Sequence, residues 1–192
     1  MRYAPEHKRQ TRERLLHTAA RLFRQRGYAA TGVDAVVADA NLTAGALYAH
    51  FDSKETLLAE ALDAAFRESG GQRPASLDQQ RGRAWMRSFV SFYLSPEHRD
   101  HPELGCPMPA LGPEIWRIGK PVRVIFERHL RGLFSTIAER LYPKSPDPAR
   151  AIPAVAMCVG SLVLARAVED RKLSDQILKE CRDALLAERV FS

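Results

Sequence analysis

NLTAGALYAHFDSKETLLAEAL, residues 41–62, decides how this chain is read. From Thr43 to Phe51 the residues suit a helix, yet they are three Ala, one Gly, and a Tyr and a His that share no face with Leu47. At 3.6 residues per turn, turning Leu47 inward puts Gly45 and Ala49 opposite it, with Ala46 and Tyr48 on the flanks. Leu47 and Phe51, four apart, form one apolar anchor. The outer side is thin, so the backbone can approach something large. A helix this short does not hold in water alone and needs longer neighbours to stand on.

Those neighbours lie on both sides. Upstream, Leu15, Ala19, Leu22, Phe23 and Arg26 recur at three- and four-residue spacing, a helical stripe. Gly27 ends that helix where glycine is favoured. Thr31-Gly32-Val33-Asp34 has the form of a capping box. A second helix follows, with Val33, Val36 and Val37 as its apolar side, and stops near Asn41, a residue that tolerates positive φ. Leu42 and Thr43 make the turn, and Thr43 is the expected N-cap of the next helix. Asp52 or Ser53 caps a fourth helix carrying Leu57, Leu58, Ala61, Leu62 and Phe66. Leu42 and Val33 are expected to meet Leu47 and Phe51.

Two short helices joined by a tight turn are the helix-turn-helix pattern. Such a unit lays its second helix in the major groove, with the N-terminal residues at the base edges. Thr43 offers a hydroxyl and Ala44 a methyl to base edges. Tyr48 and His50 fall where phosphates run, and Lys54 is aimed like another phosphate contact. The competing reading is internal: small residues for close helix packing, and Tyr48 as a half-buried aromatic with a wet hydroxyl.

The stretch from about Lys8 to Leu62 resembles the TetR family of bacterial transcriptional regulators. The likeness rests on Phe23, Gly27-Tyr28, Thr31, Val33, Leu42-Thr43, Gly45, Leu47-Tyr48, His50-Phe51, Lys54 and Leu57-Leu58. The resemblance implies a DNA-facing set of Thr43, Ala44, Gly45, Ala46, Tyr48, His50 and Lys54, with Thr31 at a phosphate. Asn41 stands where glycine is usual, and Gly32 where a hydroxyl is usual. The chain is thus expected to be all-α. A helix-turn-helix DNA-binding domain over residues 1–52 is joined by a fourth helix, 53–70, to a larger helical effector-binding and dimerisation domain, 71–192.

Charge supports a polyanion partner. Net charge is +6, and residues 1–27 hold eight basic residues (Arg2, Lys8, Arg9, Arg12, Arg14, Arg21, Arg24, Arg26) against Glu6 and Glu13. The whole excess therefore sits in that segment, which fits nucleic acid or an acidic surface; a solvated basic helix face is the plain alternative. Three separated cysteines, Cys106, Cys158 and Cys181, form no disulfide framework and favour a reducing cytoplasm. Neither a secretory signal nor a membrane-spanning run is read in the sequence. Its longest uncharged stretch, Ala151 to Ala165, is 15 residues.

Proline marks the second half: Pro5 is followed by none until Pro74, and the other eleven of the twelve run from there. Trp85, Phe89, Val90 and Tyr93 form an aromatic stripe that suits either plain core or a ligand box. Trp85, Phe89 and Tyr93, together with Cys106, Met108, Trp116, Phe126 and Met157, make the expected effector pocket. SPEHRDHPELGCPMPALGPEIWR, residues 95–117, is expected to hold two short helical pieces, near 107–111 and 114–118. Cys106 at the start of the first would gain reactivity there, making it either a sensor or a small buried hydrophobe. His98, His101 and Cys106 match no common zinc spacing, so neither metal nor cofactor is expected. No motif supports an enzyme. The last helices, about 147–170 and 173–189, carry Ala156, Val159, Gly160, Val163, Ile177, Cys181 and Leu185 as the expected dimer interface.

The resulting expectation is a cytoplasmic transcriptional regulator, most simply a repressor. It would act as a homodimer on double-stranded DNA with a palindromic operator and be released by an unidentified small-molecule effector. The variant reading is a redox- or electrophile-sensing repressor acting through Cys106. The rival of another class is a peripheral binder of acidic surfaces.

Overall fold

The computed structural model describes residues 5–71 and 73–187; Arg2, Gln72 and Arg189 lie outside the described residues. In chain order the helices are α1 (Pro5–Arg26), α2 (Val33–Asp39), α3 (Ala44–Tyr48), α4 (Lys54–Gly71), α5 (Ser76–Gln79), α6 (Gly82–Tyr93), α7 (Pro96–Asp100), α8 (Pro107–Ile115) and α9 (Lys120–Leu141). A 3-10 turn (Pro148–Ala151) leads into α10 (Ile152–Ala167), and α11 (Arg171–Leu186) follows. The described residues include no strand. The chain divides into two compact units, Met1–Gly71 with Pro102–Phe126, and Gln72–His101 with Glu127–Ser192.

The first unit is built on α1 and α4. Leu15, Ala19, Leu22 and Phe23 of α1 bury against Leu57, Leu58, Ala61, Leu62 and Ala65 of α4, joined by Leu111 and Ile115 of α8 and Val122 of α9. Each such leucine contributes roughly 1.5–3 kcal/mol on leaving water. The expected stripe ends differently: Arg26 is exposed, and Arg24 is buried instead. Its guanidinium pairs with Glu68 at 2.8 Å and donates to the carbonyls of Ala20, at 3.0 Å, and Gly105, at 3.3 Å. Those partners make the burial of a charge tolerable.

Turns set the short helices. Gly27 has φ +82°, which terminates α1, and Asn41 has φ +50°, as its tolerance of the left-handed region suggested. Leu42 N–H then returns to Val37 O at 2.8 Å, wrapping the end of α2. Ser53 caps α4, its Oγ accepting from Thr56 N–H at 3.0 Å. The capping box does not form. Gly32, not Thr31, is the N-cap of α2 and makes no side-chain cap.

Residues 107–115 form one helix rather than two pieces, with Pro113 inside it. Pro107 at its first position costs no hydrogen bond there.

In the second unit α10 packs along α11, burying Ala154, Val155, Cys158, Leu162, Ala165, Leu178 and Leu185. Arg99 of α7, also buried, fastens the start of α11. It donates to Ser174 Oγ at 2.9 Å, to Asp175 at 2.5 Å and to Asp100 at 2.8 Å. Arg166 of α10 closes the network on the carbonyls of His98 and Arg99, at 2.6 and 3.0 Å. Pro148–Ala167 is 20 residues long with mean hydropathy 1.6, enough by length and composition to cross a membrane. The same helix carries Ser161, whose hydroxyl donates to Met157 O at 2.5 Å, and its buried face is the one that meets α11.

Candidate nucleic-acid interface

α3 is only five residues long, and its footing comes from its neighbours. Leu47 and Phe51 are sealed in the core, and Val33 and Leu42 pack partly buried against the same cluster. Thr43 caps the helix, its Oγ1 accepting from Ala46 N–H at 3.2 Å. His50 and Phe51 N–H both turn back to Leu47 O, at 2.9 and 3.0 Å.

The opposite side is open. Thr43, Gly45, Tyr48 and Ala49 are exposed, and Ala44, Ala46 and His50 are half-buried. Tyr48 is 55% exposed and makes no hydrogen bond or ring contact among the described residues. A methyl added at Gly45 would meet nothing nearer than Thr43 Oγ1, at 3.8 Å. At Gly45 the close-packing reading therefore fails, because nothing among the described residues crowds that position. A large apolar-edged ring left in water and a bare backbone beside it suit an external partner.

Cations gather at the far end of α3. Burial lowers the His50 pKa, and the charges of Lys8 and Arg12 lower it further. Arg12 lies 5.1 Å over the Phe51 ring and pairs with Glu60. The basic excess of residues 1–27 is nevertheless largely compensated at home. Arg9 pairs with Glu6 and Glu13, Arg12 with Glu60, Arg21 with Asp39, and Arg24 with Glu68. Lys8, Arg14 and Arg26 stand without an ion pair among the described residues.

Two expected phosphate contacts are drawn inside. Thr31 is fully buried; its hydroxyl donates to Gly27 O at 2.7 Å and lies 3.4 Å from Leu22 O. It closes the end of α1 and does not face a phosphate. Lys54 is half-buried, its Nζ donating to Tyr28 O at 2.6 Å and sitting 4.1 Å over the Tyr28 ring. Burial lowers its pKa. The loop that holds Tyr28 is gripped from the other side by Glu114 of α8. That carboxylate accepts Tyr28 N–H and Ala29 N–H, each at 2.8 Å. Gly27 makes room for it, since a Cβ there would lie 2.6 Å from Glu114 Oε1. The sequence reading missed Glu114, and no local signal marks a partner 86 residues away.

The remaining expected residues fall in both units. Trp85, Phe89 and Tyr93 form a ladder in the second: Trp85 and Phe89 stack at 4.8 Å, and Phe89 and Tyr93 lie 5.6 Å apart. Met157 belongs to that unit too, whereas Cys106, Met108, Trp116 and Phe126 belong to the first. Met108 is buried, and Phe126 meets Phe66 edge-on at 6.2 Å. Trp116 is 65% exposed, with Arg117 stacked on it at 4.6 Å. Cys106 is the N-cap of α8 and feels the charge of Arg24. His98 is turned to Tyr93 O at 2.8 Å. Of the expected dimer residues, Ala156 is exposed, and Val159, Gly160, Val163, Ile177 and Cys181 are half-buried. Leu185 is fully buried in its own chain and serves the α10–α11 core instead.

A short helix with a small, exposed outer side, stood upright by two longer helices, defines a helix-turn-helix module. Residues 15–61 match the profile described as bacterial regulatory proteins, tetR family. The uncharacterized HTH-type transcriptional regulator YerO of Bacillus subtilis (strain 168) is 40% identical over 52 residues, 27% of this chain and 18% of YerO. The match thus spans less than a fifth of that relative. A second such regulator of that strain, YxaF, is 28% identical over 133 residues, 68% of this chain and 70% of YxaF. The TetR-family regulator SCO4454 of Streptomyces coelicolor superimposes with a TM-score of 0.68 at 27% identity, covering 95% of this chain and 90% of that one. Residues 15–61 are thus a TetR-type helix-turn-helix segment, and the chain as a whole resembles regulators that carry one.

Proposed function

We propose that this protein is a cytoplasmic, ligand-responsive repressor that binds a palindromic operator as a homodimer and leaves it when a small molecule binds. The observation that carries this reading is the outer side of α3, where Tyr48 is exposed and Gly45 borders open space. Selection of duplexes from a random pool is the first test, and Tyr48→Ala should then lose most of the affinity while keeping its fold. Recovery of no preferred duplex would overturn the reading.

Pairing is supported by two observations. Two reading heads one helical turn apart match a two-fold operator. The exposed side of α10, with Ile152, Ala156 and Leu164, supplies an apolar face for a second copy. The aromatic ladder of α6 supports an effector with a flat or cationic group. Release requires only that the effector prefer one spacing of the two heads over another.

A redox variant rests on Cys106, the N-cap of α8 beside the buried Arg24. Alkylation with N-ethylmaleimide should release DNA from the wild type and not from Cys106→Ser; equal release from both would sink it. The acidic-surface rival is weakened by the ion pairs that neutralise much of α1. Binding to anionic vesicles that exceeds binding to duplex DNA would restore it.

A further inference from the structure

We propose that the α8–α9 turn, through Arg117 and Lys120, is a phosphate-contacting segment of the reading head. This rests on the DNA-binding reading above. The two side chains that the resemblance assigns to phosphates on this flank are occupied internally: Thr31 by Gly27 O, and Lys54 by the carbonyl and ring of Tyr28. The flank is therefore short of outward positive charge at its own residues.

The α8–α9 turn lies against that spot. Glu114, at the end of α8, holds the Tyr28 and Ala29 amides, and Tyr28 in turn holds Lys54. Five residues on, Gly119 packs on the first turn of α4: a Cβ there would lie 2.9 Å from Glu55 Cδ. The turn is thus anchored at both ends next to Lys54. Its own backbone is fixed by Arg117 N–H to Glu114 O at 3.0 Å and Ile118 N–H to Ile115 O at 3.1 Å.

What the turn presents is cationic. Residues 115–126 contain Arg117, Lys120 and Arg123 and no acid. Arg117 and Lys120 are exposed, and among the described residues neither has a carboxylate partner. Glu114 is engaged by two amides, and Glu55 packs on Gly119. Arg117 lies flat on Trp116, an exposed ring that limits the guanidinium's freedom. A planar cation held this way, with a lysine three residues further, fits adjacent phosphates of a duplex strand. Such contacts position the head and carry no base preference.

The test is the salt dependence of binding to a duplex selected by the wild type, measured for the full chain by fluorescence anisotropy. Each cation removed from the backbone lowers the slope of log K against log salt by about 0.9. Arg117→Gln with Lys120→Gln removes four cations per dimer, so the slope should fall by about 3.6 and the loss should be similar on an unselected duplex. Lys144→Gln with Lys172→Gln makes the same charge change in the other compact unit and should leave the slope where it was. An Arg117/Lys120 slope within about 0.9 of the wild type, or an equal fall in the Lys144/Lys172 variant, overturns the assignment. Failure of the wild type to select any duplex would instead strike the DNA-binding reading itself.

Discussion

Gly27→Ala tests the link between α8 and the reading head. Gly27 has φ +82°, where an L side chain costs roughly 1–2 kcal/mol. The added Cβ would also lie 2.6 Å from Glu114 Oε1, so the carboxylate must move. It is held by two amide hydrogen bonds of 2.8 Å, and bonds of this charged kind are worth roughly 1.5–3 kcal/mol each when fully kept from water. Ala29 is exposed, so its bond counts for little, and the total loss should be about 2–4 kcal/mol. Urea unfolding at pH 7 measures it. The decisive comparison is the same substitution in a Glu114→Ala background, where only the backbone strain of about 1–2 kcal/mol should remain. A cost that is the same in both backgrounds, or below about 0.5 kcal/mol in the wild type, would refute the clamp.

Gly45→Leu should abolish duplex binding while shifting stability by less than about 1 kcal/mol, since the added side chain meets open space; a large drop in the urea midpoint would contradict that geometry. Leu47→Ala should cost about 2–5 kcal/mol, because this fully buried side chain anchors α3, and calorimetry reads it directly. His98 is pushed down to about 4 by burial. The unfolded chain therefore takes up a proton that the native one refuses, and stability should fall by about 3 kcal/mol as pH drops from 6.5 to 4. Asp100, held at about 2 chiefly by Arg99 and Arg171, extends the loss below its usual 3.8. Urea midpoints that stay level between pH 7 and 4, or a His98→Gln variant no flatter than wild type, would count against this. Leu164→Glu, on the exposed side of α10, should shift sedimentation from dimer to monomer at micromolar concentration.

The reading head was legible because its signals are local. Leu47 and Phe51 four apart, the Thr43 cap and the left-handed Asn41 all act within one turn of chain, and the structure places each as read. What escaped depends on partners far along the chain. Arg24 looks like any basic residue until Glu68 and Gly105 arrive to bury it. Thr31 and Lys54 carry the right functional groups for phosphates, but Gly27 O and Tyr28 claim them first. The charge excess of the first segment looks larger in the sequence than it is at the surface, since Asp39, Glu60 and Glu68, which pair with part of it, lie well downstream. Periodicity could not separate Leu185 from Ile177 and Cys181, because all three lie on the same side of α11 as the buried Leu178.

Gly45 and Ala49 are both exposed, and nothing among the described residues crowds Gly45. Such positions are free to drift. If the DNA-binding reading proposed above holds, one codon change at Gly45 in a duplicated copy of this gene would alter what α3 offers to a base edge, and the new side chain would leave the scaffold's tolerance for heat nearly untouched. Divergence of target sites can then outrun divergence of the structure that carries them.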